Sequence, residues 1–300
     1  MQNNENNGIS GSGSGPIQFD EKEELLDIRY DNIFKAVFTK ETPSSKGALS
    51  GLISALIERK IVVQTIIANE LPLDNVFNRS IRFDIACKAE SGELINIEMT
   101  FNPFPYEPAR LEYYLSRQFS GQDIKGITKN YTDLKETYQI TIVGKKRIFP
   151  DETLVHTFQH YDHLHHTVLN GKTRIITMEL LKAEKIVYKP TYEMGSQEAW
   201  AVFFQYLTDI SKRAILNEIL KKEAEIEMAG ETLIEISRDE IEQARLTSEL
   251  KYILDNQSMM TDARREGREE GFEKGREEER QRFLDLLNQG LSVEEIKQRL

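Results

Sequence analysis

The chain has 300 residues, of which 39% are hydrophobic and 30% charged, with a formal net charge of −11. That supports a real but lean core, and the high charged fraction points to an exposed, charge-rich extension beside it. A single cysteine, Cys87, excludes an internal disulfide; no apolar run approaches the ~18–20 residues of a membrane helix, and the opening residues have neither the basic nor the apolar region of a secretory signal, so a soluble cytoplasmic protein without a membrane partner is expected.

Residues 1–20 are rich in Asn, Gly and Ser without apolar periodicity and read as disordered. LLDIRYDNIFKAVF is compatible with a helix or a turn leading into one. KGALSGLISALIERK sets Leu49, Leu52, Ile53, Leu56 and Ile57 at helical spacing. The β-branched IVVQTIIANEL predicts a strand over 61–71, and IRFDIACKAESGELINIEMTF predicts two alternating strands around a Ser91-Gly92 turn. Pro103, Pro105 and Pro108 break the chain; PARLEYYLSRQFSGQDIKG then predicts a helix and TYQITIVG a strand. VHTFQHYDHLH and KTRIITMELL predict a strand pair separated by the turn-forming Asn170-Gly171. From residue 198 onward the pattern is helical and increasingly charged. Mixed strand and helix followed by an all-helical tail makes the expected class α/β with a helical extension.

The hairpin over 81–101 carries the chemistry. Strand residues alternate faces, so Phe83, Ile85 and Cys87 share an apolar face with Ile95, Ile97, Met99 and Phe101. The other face holds Arg82, Asp84 and Lys88 beside Asn96, Glu98 and Thr100. A three-residue Glu90-Ser91-Gly92 loop with Gly92 left-handed pairs residues whose numbers sum to 182, which sets Asp84 opposite Glu98 with Cβ atoms ~4.5–5.5 Å apart. Two carboxylates that close repel unless a positive group sits between them, and Mg²⁺ or Mn²⁺ suits such oxygen donors while keeping room for water and phosphate. Such an ion activates water and stabilises charge on a phosphodiester. Short acidic spacings are common, and the same two acids also fit a solvated face paired with Arg82 or Lys88.

YDNIFKAVF, RFDIACKAESGELINIEM and PARLEYYLSRQFSGQDIKG, followed by MELLK, EAWAVFF, REGREEGFEKGREEE and LLNQGLSVEEIKQRL, resemble in order and spacing the transposase-like, recombination-promoting nucleases of the PD-(D/E)xK superfamily. The resemblance covers roughly Tyr30 to Leu300. It implies a restriction-endonuclease-like mixed sheet flanked by helices over 21–197, with 198–300 as a helical extension. It also implies a Mg²⁺- or Mn²⁺-dependent endonuclease acting on DNA. Asp84 matches the family's strand aspartate, Glu98 the first acid of its E-x-Q or E-x-K element, and Asp31 the acid of an early D-x-x-F-K pattern. Arg110, Tyr114 and Gln122 fall on the helix after the active-site strand, where phosphate contacts are implied. Thr100 departs from the pattern, standing where the family has Gln or Lys; Arg82 or Arg110 could supply the missing charge. A second reading keeps the fold and loses the chemistry, leaving a DNA-binding or protein-interaction module.

The acidic net charge runs against nucleic-acid binding, but its distribution is uneven. Acids concentrate after about residue 215, whereas the stretch from Arg79 to Arg147 carries Arg79, Arg82, Lys88, Arg110, Arg117, Lys125, Lys129, Lys145, Lys146 and Arg147. The five histidines of HTFQHYDHLHH lack the cysteines and acids of a zinc site and read as a polar strand edge or loop. Gly267, Gly271 and Gly275 recur every fourth residue in a charged helix. Acids surround them, which excludes a phosphate cradle, and the small-residue stripe suggests close approach of a second copy of that helix.

Overall fold

In chain order the computed structural model begins with α1 (Asp31–Thr39) and α2 (Pro43–Ile57). It describes residues 17–67, 84–122, 124 and 130–289, apart from the side chains of 240, 255–258 and 262. Thr42 opens α2 by accepting a hydrogen bond from Ser45 N, with Pro43 at the first helical position, where a missing N–H costs nothing. Strand β1 (Val63–Ile67) lies within the span expected at 61–71, whose remainder falls outside the described residues. Strands β2 (Ile85–Ala89) and β3 (Leu94–Thr100) are the anticipated hairpin. Their partners are Ile85 with Ile97, Ala86 with Asn96 and Cys87 with Ile95, the register that the loop geometry requires. Gly92 turns the chain at φ +101°, a conformation that side-chain-bearing residues adopt at a cost.

Helix α3 (Glu107–Ser120) carries the chain from β3 to β4 (Thr137–Val143), which runs parallel to β3. Strands β5 (Val155–Phe158) and β6 (Thr173–Glu179) complete a six-stranded sheet of order β1-β2-β3-β4-β6-β5. Pairs β3–β4 and β4–β6 are parallel, and both edges are antiparallel. Ile97, Ile140, Ile142, Ile176 and Met178 on one face join the core formed with Phe34, Phe38, Leu49 and Leu52 of α1 and α2.

The sequence left a solvated face around the acids open as an alternative; on β3, β4 and β6 that face is buried. Asn96, Gln139, Thr141, Thr177 and Glu179 are fully buried, and Glu98 retains 2% of its exposure. The cause is topological. A parallel pair cannot be closed by a hairpin, so the connection returns over the sheet as a helix and removes that face from water. Polar alternation on β3, β4 and β6 thus marks an internal polar layer.

Helices α4 (Ser196–Tyr206), α5 (Arg213–Lys222) and α6 (Ala224–Arg238) belong to the first compact unit, which runs to Leu246. Trp200 and Phe204 of α4, their rings 5.4 Å apart, are buried against Phe34 and Phe38, and Phe203 is buried against Phe19. Helix α6 packs on α2 so closely that a Cβ on Gly51 would lie 2.2 Å from Glu225 Cβ. Thr247–Leu300 forms the second unit, described through the remainder of α7 (Glu240–Asn288). Among the described residues no helix is long and apolar enough to cross a membrane.

Candidate active site

Asp84 stands one position before the last ladder pair of β2, across from Glu98, and its Oδ2 accepts a hydrogen bond from Met99 N at 3.1 Å. Its other oxygen, Oδ1, lies 3.0 Å from Lys35 Nζ, which also reaches Asp31 Oδ2 at 3.3 Å. Asp31 and Lys35 occupy successive turns of α1, so the early D-x-x-F-K pattern brings a carboxylate and an ammonium to the hairpin acids. Burial raises the Asp84 pKa against the pull of Lys35. Burial works to lower Lys35, and Asp84 and Asp31 outweigh it, leaving its pKa above the ordinary lysine value.

Glu98 belongs to the internal layer. Burial pushes its carboxyl up to about 8 against the attraction of Arg110, and Asp84 adds to the rise. Arg110 enters from α3 with its Nη2 at 3.0 Å from Glu98 Oε2, 3.2 Å from Thr100 Oγ1 and 2.5 Å from Glu107 Oε1. One guanidinium therefore spans the acid, the threonine at the anomalous position and a second buried acid, with its plane over the Tyr114 ring at 5.3 Å. Burial works to lower the Arg110 pKa, and Glu98 and Glu107 more than reverse it. Asn96 donates to Glu98 Oε1 at 3.4 Å and to Gln139 at 2.7 Å, fixing the layer beneath the site.

The structure thus gathers Asp31, Asp84, Glu98, Thr100 and Arg110, and adds Lys35 and Glu107. Lys35 was legible as a cation one helical turn beyond Asp31, and Glu107 as an acid three residues before Arg110. Gln122 is elsewhere: its side chain binds both backbone groups of Lys135 and the Thr137 hydroxyl, tying the end of α3 to the start of β4. Arg82 lies outside the described residues.

Among the described residues no group of three or more His, Cys, Asp or Glu side chains is arranged around a metal position. Asp84 and Glu98 supply hard oxygen donors, and Glu98 Oε2 is buried without an aligned hydrogen bond. Magnesium binds through one or two carboxylates and fills its remaining positions with water and phosphate, so this pair fits a magnesium-type ion.

A six-stranded mixed sheet whose central hairpin presents two facing carboxylates defines a nuclease-fold α/β domain. The chain belongs to the PD-(D/E)XK nuclease family transposases, whose family model matches residues 28–263. No curated protein and no solved structure matches it.

Proposed function

We propose that the protein is a Mg²⁺- or Mn²⁺-dependent DNA endonuclease of the transposase-like, recombination-promoting kind, acting in the cytoplasm. The observation that carries this reading is the facing pair of half-buried Asp84 and buried Glu98 with Lys35 and Arg110 beside it, inside a domain of this family. Asp84 and Glu98 would hold the ion, which when bound supplies Lewis-acid stabilisation of the phosphate and a more acidic water. The chain's own residues do the rest. Lys35 Nζ, anchored by Asp31 and Asp84, is a cation able to hold a phosphate oxygen. Arg110 brings to Thr100 the positive charge that the family pattern takes from the strand. With α3 packed over β4 and β6, Glu98 is buried from bulk water, which strengthens each of these electrostatic contacts. Hydrolysis forms one P–O bond from water and breaks one to a sugar oxygen, with the water's proton ending on the leaving oxygen or in solvent.

Supercoiled plasmid with Mg²⁺ or Mn²⁺ tests the assignment. Nicking is expected from the native chain and not from Asp84→Asn or Glu98→Gln; full nicking by either variant overturns it. The second reading, a DNA-binding module without catalysis, is favoured by the position of Arg110, which already neutralises Glu98. Tight DNA binding with no cleavage under either ion would establish it. Self-association through α7 is part of the proposal and is tested by solution mass.

A further inference from the structure

β3 runs into Phe101-Asn102-Pro103-Phe104-Pro105-Tyr106-Glu107-Pro108, a segment with a proline at every second or third position. Phe104 is 48% exposed and Tyr106 51%, and their rings stack with centroids 5.1 Å apart and planes 5° from parallel. Two large aromatic faces held parallel in water form a surface shaped for another planar group. The prolines fix φ along the segment, so presenting the rings requires little further ordering. Backbone bonds join the platform to the site: Phe104 O accepts from Glu107 N at 3.0 Å and Tyr106 O from Arg110 N at 3.1 Å. Arg110 is the residue that holds Glu98 and Thr100.

Cations border this segment. The Phe101 ring has the Arg29 guanidinium 5.6 Å and the Lys145 ammonium 5.9 Å from its centroid, and Lys145 N donates to Phe101 O at 2.7 Å. Lys146 and Arg147 follow on the surface. Fully buried Glu179 secures that basic loop by accepting from the amides of Ile148 and Phe149. Flat aromatic faces beside cations suit a nucleotide, which offers a π-face and a phosphate together.

We propose that Phe104 and Tyr106 are a stacking platform for an unpaired base, so that the DNA bound next to the Asp84–Glu98 pair is single-stranded, frayed or otherwise locally unpaired. This rests on the nuclease reading and specifies its substrate class. Bases inside a duplex expose only their edges, and the platform cannot engage them without unstacking.

Fluorescence anisotropy of the full chain in EDTA, where cleavage is absent, tests this with three labelled probes: a single strand, the same sequence as blunt duplex, and an abasic strand of equal length. The single strand is expected to bind about tenfold or more tighter than the duplex. Phe104→Ala with Tyr106→Ala should lose about tenfold on the single strand and nothing on the duplex, while Phe104→Trp with Tyr106→Trp keeps native affinity. Abasic strand should bind the native chain only as tightly as the double-alanine variant binds the normal strand. Equal native affinity for strand and duplex, an alanine variant with undiminished strand affinity, or an abasic probe bound as tightly as the normal one each overturns the proposal. Both residues are exposed, so thermal melting should show unaltered folding. Plasmid nicking with Mg²⁺ separates the two ideas. Platform-dependent binding without nicking sinks only the nuclease reading, and nicking without platform dependence sinks only this one.

Discussion

Glu98 loses its hydration on the covered face of the sheet, and Arg110 of α3 at 3.0 Å offsets only part of that loss. With its carboxyl pushed from the ordinary 4.5 up to about 8, the folded chain holds a proton there that the unfolded chain releases between those values. Its contribution to stability is therefore full below pH 4.5 and is lost as pH rises through 8. A decline of Tm between pH 5 and 8 is expected of the native chain, and Glu98→Gln, which keeps the shape without the charge, should flatten it; an unchanged slope by thermal melting would contradict the assignment. The same carboxyl must ionise to take a divalent cation, so Mg²⁺ affinity measured by calorimetry should rise with pH up to about 8, with proton uptake by the buffer at neutral pH. Cys87, on the apolar face of β2, is pushed by burial up to about 12 and should resist thiol reagents until the chain unfolds. Labelling at native pH on the unfolding timescale is the expected result.

At the level of elements, the β2–β3 hairpin was legible because two independent signals agreed: alternation on both strands and a glycine at the position the loop needs. Gly92→Ala forces a side chain into φ +101° beside Lys135, and a loss of roughly 1 kcal/mol or more by urea unfolding is expected. Helix α3 was legible from its periodicity and prolines, but its lid-like role was not. Alternation distinguishes two faces of a strand without saying what covers either, so the burial of Asn96 and Glu98 was not legible from β2 and β3. Arg110 was named for its charge, whereas its reach to Glu98, Thr100 and Glu107 depends on where α3 lies across the sheet. Helices α4 to α6 were legible as helices but read as an extension, whereas Trp200, Phe203, Leu216 and Leu233 on their inner faces join the core.

Across the whole chain the charge of −11 is unevenly spread: residues 79–147 carry eleven Lys and Arg against nine Asp and Glu, whereas α7 carries thirteen acids against nine bases. The region of α7 beyond Leu246 raises its own physical question. A long helix dominated by exposed charged residues is supported mainly by propensity and neighbouring charge pairs, and each glycine costs ~1 kcal/mol against alanine. Gly267, Gly271 and Gly275 nonetheless sit in it, with open space where a Cβ would project, and Met259, Met260 and Phe272 are exposed along it. Contact with the same helix of a second copy would bury those apolar groups and let the backbones approach at the glycines. Under this proposal, removing the residues after Met260 lowers the solution mass to that of a monomer and leaves the first unit folded, since the core residues all precede Thr247. Gly267→Leu with Gly271→Leu should also weaken association while raising the helicity of the isolated tail. Multi-angle light scattering decides the point: a full-length chain already monomeric at tens of micromolar would remove α7 from any role in assembly.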